Sequence, residues 1–458
     1  MSRDCERSRR RSRKLGRRRL LALTGSVGVS SLAGCADRAF GVFGSERQTI
    51  DGEALADLVD GDPPSVPETF PVDIEPSFVD DQRVAAESKL DDVPAPFDEE
   101  QIPNGVIRER LNGEYESARE SVGATSDAET PYERLGHATR ARTSAHEVLA
   151  AWRAIESAVT VDDLRESRSA VGDDVDAFAS RWSYVGDGPV RAAVVHAEIE
   201  REIRGARNWL SFRGRALDRA ADNVLDFADL AVDIERARVD VAVGSYLFDR
   251  FRAGLDAERD RRERFERARE TLRDRIETRR ESLPDETDDP TSLVERDIDE
   301  TAGVIALADL VRDARYRSEE TSSNRERDSP SLASAALAAA NALVYLRAFE
   351  SLHERIEDGD DLAVESVADV RSLRADAVDA VRAARDTDRA RTVAAAVLPQ
   401  FAREIRWTDD QLERSSDAVP VDSAARDAAQ YVVVAETCRA VPPVSADVAA
   451  ALRGDGDA

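Results

Sequence analysis

Few residues in this chain could carry out chemistry. It has four histidines, His137, His146, His196 and His353, and three cysteines, Cys5, Cys35 and Cys438. His137 and His146 lie nine apart, about 900° of helical turn, so they point to opposite faces and cannot share a metal ion. The stretch HAEIE sets His196 and Glu200 at i, i+4, two candidate ligands on one helical face. It lacks the second histidine of a zinc-protease helix and is expected to be a pair of neighbours on a helix surface. There is no Cys/His cluster, Gly-rich phosphate loop, GxSxG elbow or EF-hand loop. The sequence therefore offers no catalytic, metal or cofactor-binding residues, and no cofactor is expected.

Two charge groupings recur. Arg153/Glu156 reappear as Arg347/Glu350, and Arg201/Glu202/Arg204 as Arg403/Glu404/Arg406. Guanidinium forks could line an anion groove, but the plainer expectation is interhelical ion pairs that fix helix register. Trp152, Trp182, Trp209 and Trp407 could stack sugars; they are expected to be core anchors.

The elements that would hold these residues read as helices from about Gly105 onward. Ala145, Val148, Leu149, Trp152 and Ile155 recur at three- and four-residue steps, one apolar face. A mostly charged stretch carries a narrow apolar seam at Phe265, Ala268, Leu272 and Ile276, expected in an antiparallel helical hairpin. Strand patterns are scarce, and the short run Tyr431 to Val434 sits in an Ala-rich helical context. Three blocks recur in order at a similar offset: NGVIRERL with AGVIALADL, WRAIES with LRAFES, and AAVVHAEIEREIR with AAAVLPQFAREIR. They suggest an internal duplication. Pro399 falls in the second copy of the last block and should kink that helix or start it anew. The expected fold is all-α, an elongated multi-helix bundle with two related halves joined by a long helical hairpin.

Composition narrows the setting. The formal charge is −28; the first 35 residues carry +8, leaving −36 on the rest. Such an acidic surface repels phosphate backbones, so no nucleic-acid partner is expected. Only Lys14 and Lys89 are lysines among 65 basic residues. This resembles the composition of proteins from salt-loving archaea, whose carboxylates stay hydrated and mutually screened at molar salt.

The N-terminus is strongly basic and runs into an apolar stretch, Leu20 to Ala33. That is too short to span a membrane and suited to a signal-peptide core. Arg17 and Arg18, followed by Arg19, Leu20 and Leu21, fit the twin-arginine pattern, with Gly16 before the pair. The run ends in Leu32-Ala33-Gly34-Cys35, a lipobox-like sequence. In this order the elements resemble twin-arginine-exported lipoproteins of haloarchaea, over residues 1 to about 40. The resemblance implies export by the twin-arginine translocase, removal of residues 1–34 and a lipid on Cys35 at the outer face of the cytoplasmic membrane.

The expected organisation is a signal peptide at 1–34, a Pro-rich tether or arm at 35–103, a helical unit at 104–212, long charged helices at 213–284 and a second helical unit at 285–458. Within the arm, Phe70, Val72, Ile74 and Phe78 suggest a segment lying on the body. The leading expectation of function is a non-catalytic binding or scaffolding lipoprotein, with a protein partner engaged through its helices; the alternative is a solute- or metal-binding lipoprotein serving a transporter. The excess charge yields a direct test. Circular dichroism should show cooperative melting at molar KCl and its loss near 0.1 M. Equal stability at both salts would attribute the composition to nucleotide bias instead.

Overall fold

The computed structural model describes residues 48–59, 64–212, 214–322, 331–387, 391–415 and 417–455. Cys35, Arg17 and Arg18, and with them the whole leader, lie outside the described residues. Fourteen helices and four two-residue strands are described: β1 (Thr49–Ile50), α1 (Gly52–Ala56), α2 (Pro76–Asp91), α3 (Gly105–Asp127), α4 (Pro131–Ile155), α5 (Val161–Arg181), β2 (Val185–Gly186), α6 (Pro189–Trp209), α7 (Gly214–Ala220), α8 (Val224–Ala253), β3 (Arg259–Asp260), α9 (Arg262–Arg280), α10 (Ala302–Ser322), α11 (Leu332–Glu357), α12 (Val367–Arg385), α13 (Arg391–Leu412), β4 (Val419–Pro420) and α14 (Val421–Arg453). The fold is all-α.

Local chemistry accounts for the helix starts. The Asn104 side chain accepts from the backbone amides of Val106 and Ile107 and caps α3. Thr130 with Glu133, and Thr160 with Asp163, form capping boxes on α4 and α5. Pro76, Pro131 and Pro189 stand at first helical positions, where their missing N–H costs nothing. Pro76 explains a departure from the sequence reading of 35–103 as tether or arm. No proline follows it until Pro94, so α2 forms inside that Pro-rich segment.

One packing pattern occurs twice. In the first half α2 packs on α3 and α4, α3 on α4, and α4, α5 and α6 all on α8. In the second half α9 packs on α10 and α11, α10 on α11, and α11, α12 and α13 all on α14. The short α7, against α8, has no counterpart. Each half is thus a repeat of six main helices around its last one.

The REIR blocks fit this correspondence. Pro189 and Arg391 open α6 and α13 at the same separation as the matched residues. Ala193, Val195, Ile199 and Ile203 are buried, as are Val397, Phe401 and Ile405. The WRAIES match does not fit. Aligning the ends of α4 and α11 puts Trp152 opposite Glu354, about two turns from Leu346. Pro399 lies inside α13, which runs on through it without restarting there.

The joining hairpin is not formed. α8 packs within the first repeat and α9 within the second, so the boundary falls between them, where β3 pairs with β2. The seam of α9 is real: Phe265, Ala268, Leu272 and Ile276 are fully buried. It faces α10, α11 and α14 instead of α8. A short amphipathic seam specifies burial but not a partner. α11 has the length and apolarity of a membrane span, but two-thirds of its apolar window is buried within the body.

A strap crosses both repeats. It begins on the second, with β1 antiparallel to β4 and Leu55 and Leu58 in the core. Glu68 then joins the two repeats: it pairs with Arg403 of α13, its amide donates to Glu133, and its carbonyl accepts from Thr130 at the start of α4. Phe70 stacks on Tyr132 and Phe78 on Tyr246, while Val72 and Ile74 are buried.

Each central helix carries a buried glutamate with an arginine three residues on. Glu235 pairs with Arg238 and with Arg142 of α4; Glu436 pairs with Arg439 and with Arg355 of α11. Removing Glu235 leaves Arg142, Arg238 and Lys89 without their shared carboxylate, whereas without Glu436 the arginines Arg355 and Arg439 still pair with Asp360 and Asp376. Glu235→Ala should lower stability by about 3–5 kcal/mol in urea titrations and Glu436→Ala by about 2 kcal/mol. A loss below about 1 kcal/mol would show that these pairs do not hold the central helices.

Candidate functional site

The polar groups that the structure gathers converge on α6, which packs on α8 of its own repeat and on α11, α13 and α14 of the other. It therefore has two polar edges. One faces the second repeat and the other faces α4 and α8.

On the first edge, His196 is fully buried and ringed by Tyr184, Phe251 and Phe265. Trp182 Nε1 donates to its Nδ1 at 3.0 Å, so Nε2 carries the proton and donates to the Val185 carbonyl at 2.7 Å. Burial drives its pKa down to about 4, and the ring is neutral. One turn on, Glu200 reaches across to the second repeat. Its carboxylate accepts from the amides of Ala333 (3.0 Å) and Ser334 (2.6 Å) in the first turn of α11, and from the Tyr184 hydroxyl. Burial raises the Glu200 pKa, while these donors act to lower it. A carboxylate on the first-turn amides of a helix supplies the cap those donors need. His196 and Glu200 are thus not the surface pair their spacing suggested. Both are buried, and they bind different partners.

On the second edge lie Glu198, Arg201, Glu202 and Asp240. Arg201 pairs with Glu198 and with Glu202 (2.9 Å), and the Tyr132 hydroxyl donates to Glu198. Burial and the neighbouring Glu198 push the Glu202 pKa well up, and its side chain is hydrogen-bonded to Asp240. Asp240 is raised to about 6, chiefly by burial, and is also bonded by Trp209. Gly205 makes room for this pair; a Cβ there would lie 2.6 Å from Asp240 Oδ2. All these carboxylates are engaged with side chains of the protein. Among the described residues no group of three His, Cys, Asp or Glu is placed to hold a metal ion.

The other sequence candidates are dispersed. His146 lies beside the Glu235 cluster with its buried Nδ1 unpartnered, and burial lowers its pKa to about 4. Burial pushes Glu235 up, but His146, Arg142 and Lys89 outweigh it and hold its pKa at about 2. His353 sits 3.8 Å from Glu357, and His137 is half-buried elsewhere on α4. The recurring charges do not share a groove. Arg153 pairs with Asp92, Glu350 with Arg279, and Arg403 with Glu68. Of the tryptophans, Trp152 and Trp182 are half-buried, but Trp209 and Trp407 are 38% and 56% exposed, against the expectation of core anchors. Surface depressions include one of about 380 Å³ between α5 and α8 and one of about 260 Å³ beside residues 286–288 and α10.

Sequence reading missed the Glu200 cap, the Glu202–Asp240 pair and the two buried Glu-x-x-Arg pairs. Only the last left a signal. Glu235 and Glu436 are separated by nearly the same interval as the REIR blocks.

Comparison with known families divides the chain at the same seam. Residues 77–258 match the family described as a domain of unknown function, DUF8262, and residues 262–450 match a second, DUF8264. Each repeat coincides with one family. No curated protein and no solved structure is significantly similar to the chain.

The buried imidazole gives a pH test. Its pKa in the folded state lies below the unfolded value of 6.5, so the unfolded chain takes up the proton first. Stability from His196 is complete above about pH 6.5 and declines as pH falls towards 4, by about 3 kcal/mol at most. His196→Gln can keep both hydrogen bonds without titrating. Its melting temperature should fall less than that of the wild type between pH 7 and pH 4.5; parallel declines would show that His196 does not set this slope.

Proposed function

We propose that the protein is a lipid-anchored, non-catalytic binding or scaffolding body held at the outer face of the cytoplasmic membrane. The observation that carries this reading is the order of the leader: basic residues, Arg17-Arg18, a short apolar core, then Leu32-Ala33-Gly34-Cys35. The body supports a passive role, because its buried polar groups are spent on joining helices and repeats. The carboxylates of α6 and α8 would serve the solute- or metal-binding alternative only if they opened toward a ligand. Instead, Arg201, Tyr132 and Trp209 occupy them. A helical body with charged outer faces is suited to engaging a protein partner through those faces, and its negative charge weighs against nucleic acid.

Cys35→Ser tests the reading. The variant should fold as the wild type does but leave the membrane fraction on washing, whereas the wild type remains. Equal retention of the two would overturn the lipid anchor.

A further inference from the structure

After the leader the chain has one lysine, Lys89 of α2; every other base is an arginine. Its ammonium lies 3.6 Å from the buried carboxylate of Glu235, where α2 and α8 flank α4. Arg142 of α4 and Arg238 of α8 converge on the same carboxylate. Among the described residues no other carboxylate lies within ion-pair distance of these three cations. We propose that Lys89, Arg142, Arg238 and His146 form a binding site for a small monovalent anion, chloride, between α2, α4 and α8.

The excess of positive charge is unusual for this chain, whose acidic residues outnumber its bases by 93 to 65. The matching cluster of the second repeat is weighted the other way: Arg355 and Arg439 meet Glu436, Asp360 and Asp376. Nor does water neutralise the excess in the first repeat. The side chains of Lys89 and Arg142 are only 21% and 16% exposed. Burial, together with Arg142 and Arg238, lowers the Lys89 pKa by more than Glu235 raises it. One carboxylate therefore does not compensate the cations gathered here, and an anion beside Lys89 supplies the missing charge.

A second observation points to the same ligand. His146 lies one turn from Arg142 on α4, and its buried Nδ1 has no hydrogen-bond partner among the described residues. Burial keeps the ring neutral. A neutral imidazole can hold its proton on Nδ1 and donate it, and an anion in the cluster accepts that bond. The remaining donors decide the class of anion. Arg142 donates to Glu235 and Gln82, and Arg238 to Glu235 and Ser167. Both guanidinium forks are thus engaged, which leaves no bidentate clamp for a phosphate or a carboxylate. The Lys89 ammonium and the His146 Nδ1 suit a small ion that accepts without directional preference. Arg238 lines the depression between α5 and α8, so ions in solution reach the edge of the cluster.

The test uses the full chain at constant molar ionic strength, with potassium gluconate, whose anion is too large for the site, exchanged for potassium chloride. Above the dissociation constant, the wild-type melting temperature should rise by about 1–2 °C for each tenfold increase in chloride. Lys89→Gln should abolish the rise, and His146→Leu should need about tenfold more chloride to reach it. Arg439→Gln, in the matching cluster of the second repeat, should leave it unchanged. Wild-type crystals soaked in potassium bromide should show an anomalous-scattering peak beside Lys89. An equal rise in wild type and Lys89→Gln overturns the site. A bromide-soaked crystal without a peak between α2, α4 and α8 also overturns it, and that measurement decides the matter even where Lys89→Gln does not fold.

Discussion

The structure depends on the burial of two long helices, one at the centre of each repeat. In α8 the buried positions run almost without interruption from Phe227 to Val239, and in α14 from Ala424 to Val444. Apolar positions buried over runs of this length need other helices packed around them. Each repeat is one solution to that problem: three helices pack on the central one, a helical pair braces the first of them, and in the second repeat that pair, α9 and α10, also reaches the central helix. Each central helix carries a buried glutamate met by an arginine of its own and one from the neighbouring helix, Glu235 in the first repeat and Glu436 in the second.

Enclosing two such helices leaves two bodies that must also adhere to each other, and this falls largely to α6. Its apolar residues continue the core into α11, α13 and α14. Glu200 meanwhile supplies the cap that α11 lacks in its own sequence, since Ser331 makes no side-chain cap bond. The strap adds a second link through Glu68. Burying His196 and Glu200 costs solvation, and each is compensated by hydrogen bonds from the protein. Polar residues with the spacing of a ligand pair are thus used for assembly. The same economy holds at Glu202 and Asp240, whose side chains are hydrogen-bonded to each other.

This accounts for a body rich in charge but poor in candidate chemistry. Acidic and arginine side chains dominate the outer faces, where pairs such as Arg165–Asp162 and Arg382–Asp379 are open to solvent and contribute little individually. At molar salt their main effect would be on hydration and solubility.

The sequence by itself determined the helices, because their apolar periodicity and capping residues are local and act before any tertiary contact forms. It marked α9's seam as buried, placed the duplicated REIR helices in register, and marked Phe70, Val72, Ile74 and Phe78 as lying on the body. Tertiary structure alone decided which helix meets which. The α9 stripe fits any apolar groove, and only the enclosure of α14 assigns it to the second repeat instead of to α8. Likewise His196 and Glu200 carry the pattern of a surface pair, because i, i+4 spacing reports a shared face and not what covers it. Trp407 shows the converse. Its apolar ring reads as core, yet it faces outward, because no described residue packs over that side of α13.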